Sequence, residues 1–121
     1  QTCALPILDT LDNVVERLAL PRVDVIKIDV EGAEANVIAG GHTVLRSMRP
    51  VLLMELNDRA LRAQGNSVDG LLAALDQIVG YQVLNFSTET GRVEVRGEGV
   101  PLSPNIVAAP PERVSELLKR P

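Results

Sequence analysis

Apolar residues along the chain switch between a strand-like run and a helix-like stripe, and the order of these switches predicts the architecture. The stretch "VDVIKIDV", residues 23–30, is β-branched and almost continuously apolar, which suits a strand covered on both faces. A helix is predicted from about Ala33 to Met48, with Val37, Ile38, Val44, Leu45 and Met48 forming one stripe. Gly40 and Gly41 interrupt that stripe. Each costs a helix about 1 kcal/mol relative to alanine, so close packing against the sheet is the preferred explanation and a local break the alternative.

"PVLLMEL", residues 50–56, is a second buried strand with Met54 in the core, and a polar loop from Asn57 to Ser67 follows. The cleanest helical period comes next, with Val68, Leu71, Leu72, Leu75, Ile78 and Val79 on one face, Asn66 or Ser67 as N-cap and Gly80 as the stop. "YQVLNF", the turn "STETG", an alternating strand "RVEVR", a Gly/Pro-rich loop and the short strand "NIVAAP" complete the strand pattern. Ahead of all this, Asp12 is positioned to cap a short helix "NVVERLAL" that turns Val15 and Leu18 inward and ends at Pro21. Pro110 and Pro111 open a terminal helix with Val114, Leu117 and Leu118 facing in. Strand, helix, strand, helix, strand is the order of right-handed crossovers, so the fold class expected is α/β, with a mostly parallel sheet and an antiparallel pair at one edge.

Composition narrows the function. A chain of 121 residues is one domain's worth and can bury roughly two thirds of its unfolded surface. With 45% apolar and 23% charged residues it reads as a soluble globular chain with neither a membrane span nor a secretion signal, and a cytoplasmic location is the default expectation. A net charge of -4, no basic cluster and 2% aromatics leave little for neutralising phosphates or stacking bases, so nucleic acid is not expected as a partner. The first seven residues, "QTCALPI", fit neither period. Reverse-translated as CAG ACG TGT GCT CTT CCG ATC they match the end of a common sequencing adapter. Residues 1–7 are therefore expected to be an assembly artefact and residues 8–121 the C-terminal part of a larger domain; Cys3 then says nothing about redox compartment.

The candidate chemistry lies where the first strand runs out. In an open α/β sheet, ligands sit beyond the carboxyl ends of the strands. Asp29 ends the first strand and Glu55 the second, so neighbouring parallel strands would bring both carboxylates to one rim. Gly32 lets the backbone turn sharply and a ligand come close, while Glu31 and Glu34 stand where a helix begins, a favourable place for negative charge. Structural duties compete with function here: Glu34 reads first as a helix-start charge and Lys27 as a partner of Asp29 along one strand face. Asp29 is harder to dismiss, since a carboxylate ending an apolar strand must find a partner or a ligand. His42, the only histidine, reads as a surface or capping residue, and with no cysteine or histidine partner no zinc site is expected.

"TLD", then "VDVIKIDVEGAE", an apolar helix with a glycine pair, and "RPVLLMEL" together resemble the second half of the FkbM family of S-adenosylmethionine-dependent methyltransferases. "GYQVL" and "NIVAAP" fit its closing segments, so the resemblance spans about Leu8 to Pro110; Gly41 departs from it, standing where the family usually has alanine. The resemblance implies a Rossmann-like class I methyltransferase fold, S-adenosylmethionine as cofactor, and methyl transfer to a hydroxyl of a small molecule or sugar. It places Asp29 first and Glu31 second as general base or acceptor-orienting group, with Glu55 and Asn57 on the substrate side and no metal ligand assigned. The family's glycine-rich cofactor loop and its acidic partner are absent from this sequence, so the chain by itself is expected to be an inactive fragment that does not bind the cofactor appreciably. The competing class is a non-catalytic, receiver-like α/β module, which also ends a central strand in aspartate but brings an acidic pair and a later lysine that are not found here.

Overall fold

The computed structural model describes residues 8–119, except for the side chain of Val79; residues 1–7, with their expected artefact, lie outside the described set. Eleven elements are described: α1 (Leu11–Arg17), β1 (Val25–Ile28), α2 (Glu34–Gly40), α3 (His42–Ser47), β2 (Val51–Glu55), α4 (Asp58–Ala63), α5 (Val68–Val79), β3 (Gln82–Phe86), β4 (Val93–Glu94), β5 (Asn105–Ala109) and α6 (Pro111–Leu118). The strands form one sheet in the order β1-β2-β5-β3-β4.

The class is mixed α/β, but the expected mostly parallel sheet is corrected. Only β1 and β2 pair in parallel; β2 with β5, β5 with β3 and β3 with β4 are antiparallel. The antiparallel component is therefore not confined to an edge. After β4 the chain returns and inserts β5 between β2 and β3, where Ala108 sits opposite both Leu52 and Val83. The insertion is favourable because "NIVAA" is apolar on both faces: Ile106 and Ala108 enter one core, Val107 and Ala109 the other.

The larger core joins Ile28, Leu52, Met54, Ile106 and Ala108 of the sheet to Ile38, Leu45, Leu61, Leu71 and Leu75 of α2 to α5. The opposite face is closed by α6 through Val114 and Leu117, over Val51, Leu84, Val107 and Ala109. Leu118, expected to face in, is exposed, because the stripe of this eight-residue helix is narrow. β1 is likewise covered on one face only: Ile26 and Ile28 join the core, whereas Val25 is 63% exposed and Lys27 is exposed on the other side. Its outer edge has no strand partner among the described residues.

Several local expectations shift along the chain or acquire another partner. Thr10, not Asp12, caps α1, accepting the Asn13 N–H at 3.1 Å. Asp12 instead caps α3, its two carboxylate oxygens accepting the N–H groups of Thr43 (3.0 Å) and Val44 (2.9 Å). Starting α1 earlier leaves Val15 buried and Leu18 exposed. The long helix from Ala33 to Met48 is two helices broken at Gly41. A Cβ on Gly41 would lie 2.7 Å from Leu11 Cδ2, so the glycine pair packs against α1 and not against the sheet. "RVEVR" reduces to the two-residue strand β4, and the loop from Asn57 to Ser67 contains α4. α5 follows the expected pattern, with the Ser67 hydroxyl accepting from the Gly70 N–H at 3.0 Å and Gly80 left-handed at φ 64°. No helix among the described residues is long and apolar enough to cross a membrane.

Candidate active site

The parallel register pairs Val25 with Val51 and Ile28 with Met54, so the next residues on the two strands, Asp29 and Glu55, emerge side by side where the strands end. Both are exposed, as a charged group at a strand terminus must be unless it is paired. β5 runs the other way, and its first residue, Asn105, sits opposite Glu55 and lines a small cavity with Lys27, Asp29 and Glu55.

After Asp29 the chain turns on two residues of positive φ, Glu31 at 50° and Gly32 at 105°, closed by the Ala33 N–H donating to the Val30 carbonyl at 3.3 Å. Two successive positive φ values are the mark of a primed turn, which non-glycine residues enter at a cost of about 1–2 kcal/mol. Gly32 is needed here for a different reason than ligand approach. A Cβ at this position would lie 2.6 Å from the Ala60 carbonyl carbon and closer still to its oxygen, so the turn is seated directly on the backbone of α4.

α4 is fixed in turn by its own cap: the Asn57 side chain accepts the Ala60 N–H at 3.1 Å, and Leu61 is buried in the core below. Asp58 accepts the Val68 N–H at 3.0 Å, tying the start of α4 to the start of α5. Turn and helix thus form two walls of one cavity of about 430 Å³, lined by Asp29, Glu31, Glu34, Glu55, Asn57, Ala60, Ala63 and Gln64. The four residues assigned from the sequence, Asp29, Glu31, Glu55 and Asn57, all line it. Glu34, Gln64 and Asn105 were not assigned. For Gln64 the sequence did carry a signal: Asn57 is a good N-cap, and Asp58 and Arg62 stand an i,i+4 ion pair apart.

Glu34 does more than supply a helix-start charge. It is only 3% exposed, and its Oε2 accepts the Gly32 N–H at 2.9 Å. Lys27 makes no ion pair with Asp29 or any other carboxylate among the described residues, so the expected strand-face pairing is absent. His42 begins α3, half-buried and away from the cavity. Among the described residues no three His, Cys, Asp or Glu side chains gather closely enough to hold a metal ion.

Chemically, the cavity presents four carboxylates and two carboxamides and no cationic side chain. It can accept hydrogen bonds from hydroxyl or ammonium groups and take up a proton; it repels anions. The family model described as "Methyltransferase FkbM domain" matches residues 6–83, a span that includes β1, β2 and every residue lining the cavity. No curated protein and no solved structure matches the chain.

Proposed function

The chain belongs to the methyltransferase FkbM domain family, and from that premise we propose that the cavity at the ends of β1 and β2 is the acceptor side of a Rossmann-like, S-adenosylmethionine-dependent O-methyltransferase. The observation that carries this reading is the convergence of Asp29, Glu31, Glu55 and Asn57, from two loops 26 positions apart, on a single cavity at the carboxyl end of the parallel pair. That is where ligands sit in open α/β sheets.

Methylation of a hydroxyl requires the oxygen to be held in line with the donor and relieved of its proton. Holding supplies most of the acceleration, and a positioned base adds about 10²- to 10⁴-fold. Asp29, exposed at the strand end and in no ion pair among the described residues, is the first choice for the base, and Glu31, on the same turn, the second. Glu55 accepts hydrogen bonds from neighbouring hydroxyls of the acceptor, and the Asn57 side-chain NH2, whose carbonyl partner is engaged in the α4 cap, donates to them. Because nothing cationic lines the cavity, a phosphorylated acceptor is disfavoured, and the acceptor class we favour is a polyhydroxylated molecule without anionic groups, such as a sugar.

The methyl group itself would come from the sulfonium of the cofactor. Three glycines near the β1 and α2 region offer that cofactor no backbone approach: Gly32 is closed off by the Ala60 carbonyl, and Gly40 and Gly41 by Thr10 and Leu11. The acceptor side is therefore testable without the donor. In a nuclear magnetic resonance titration with neutral monosaccharides, resonances of Asp29, Glu31, Glu55 and Asn57 should move together, and sugar phosphates should leave them in place. Stronger effects from sugar phosphates, or shifts confined to other surfaces, would refute the reading. In methyl transfer by the gene product, Asp29→Asn should lower kcat by about 10²- to 10⁴-fold.

A further inference from the structure

Glu34 carries an unusual combination of features for a residue at the first position of a helix. A carboxylate there gains from the helix dipole while fully solvated, so a dipole role gives no reason for burial. Glu34 is nevertheless 3% exposed, and it is the only charged or polar residue buried to that degree among the described residues. Taking a carboxylate out of water is costly unless it is hydrogen-bonded, and the bond it makes is specific: Oε2 accepts the N–H of Gly32, two residues back, at 2.9 Å.

That N–H belongs to the turn residue seated on the Ala60 carbonyl, and the residue before it, Glu31, is held at φ 50°. A left-handed non-glycine residue persists only where its surroundings over-determine it. Here they come from two sides: the backbone of α4 below Gly32 and the Glu34 carboxylate on its N–H. Released from the second, the turn can relax toward ordinary φ, which would swing Glu31 and the preceding Asp29 away from Glu55.

We propose that Glu34 is a positioning residue, whose side-chain oxygen locks the Glu31–Gly32 turn and thereby sets the two carboxylates of the β1 loop on the rim beside Glu55 and Asn57. The assignment of those carboxylates to an acceptor rests on the proposed function; the locking itself does not. What Glu34 contributes is an acceptor atom at a fixed place, so glutamine should replace it and alanine should not. A helix-start charge would behave differently, since glutamine and alanine both lack the charge and would be equally disruptive.

The test uses isotopically labelled chain without donor or acceptor, read by amide hydrogen exchange at Gly32 and by the resonances of Asp29 and Glu31. Glu34→Gln should preserve both. Glu34→Ala should speed Gly32 exchange by about tenfold or more, the factor expected for loss of a hydrogen bond to a charged group, and displace Asp29 and Glu31 while the core resonances of α5 stay in place. If Glu34→Ala does not fold, Glu34→Gln decides alone: an undisturbed rim supports the proposal and a displaced one overturns it. It is also overturned if glutamine is as disruptive as alanine, or if alanine frees the Gly32 amide and leaves Asp29 and Glu31 unmoved. Because these signals are read without chemistry, failure of methyl transfer at the rim would leave this result standing, and the reverse.

Discussion

Replacing Gly32 with alanine separates the two costs that the β1–α2 turn imposes. At φ 105° an alanine carries a backbone penalty of about 1–2 kcal/mol. Its Cβ would also stand 2.6 Å from the Ala60 carbonyl carbon, where the obstacle is backbone and cannot rotate aside. Forcing α4 outward to relieve that overlap costs a further amount of about 1–3 kcal/mol, the range seen for overpacked interiors. The sum, about 2–5 kcal/mol, can be set against Gly80→Ala, an internal control. Gly80 also has positive φ, 64°, but nothing lies within 4 Å of its added Cβ, so only the backbone cost of about 1 kcal/mol applies. Urea denaturation of both variants should give equal slopes and a Gly32→Ala midpoint clearly below that of Gly80→Ala, with a melting temperature lower by about 4 °C for each kcal/mol of difference. Equal destabilisation of the two would refute the conclusion that the turn rests on α4, and with it the shared wall of the cavity.

Asp12→Ala removes the acceptor for two backbone N–H groups of α3 and should cost about 1 kcal/mol by denaturation, whereas Asp12→Asn, which keeps only one acceptor oxygen, should recover part of it. Glu112, hydrogen-bonded by the Arg49 guanidinium, has its pKa lowered from 4.5 to about 2. A depressed folded-state value stabilises the fold above about pH 4.5 and is lost as pH falls toward 2. The midpoint of unfolding should therefore fall with acid in that window, and less steeply in Glu112→Gln. Calorimetric titration of the chain with S-adenosylmethionine should show no appreciable binding, since Gly32, Gly40 and Gly41 are each closed off by neighbouring atoms; micromolar affinity would contradict that.

Locally encoded features were legible in the sequence. The stripe of α5, the Ser67 cap and the Gly80 stop are all set within a few residues of one another, and they are found where the period places them. So are the apolar cores of β1, β2, β3 and β5, and so is the change at Asp29 and Glu55 from apolar strand to acid, which marks the rim without any tertiary information. What escaped depends on partners distant in sequence. Nothing near residues 105–109 says that this strand will lie between β2 and β3, because that follows from pairing with Leu52 and Val83. Asp12 caps a helix 31 positions on, and Gly41 breaks a helix because Leu11 arrives there. α4, six residues with one buried leucine, is too short for its period to register. Glu34 is ambiguous for a similar reason: its burial is a tertiary fact, whereas its place at a helix start is all that the sequence shows.

The proposed acceptor site requires Asp29 and Glu55 to stand on adjacent strand ends. Neighbouring strands lie about 4.8 Å apart, within the Cα separation that a disulfide spans. In a chain with Cys3 replaced by serine, cysteines introduced at both positions, Asp29→Cys and Glu55→Cys, should join on mild oxidation into an intramolecular bridge, seen as a loss of two free thiols without dimer formation. Two thiols that stay free, or that link only between molecules, would mean that the carboxylates of β1 and β2 do not share a rim.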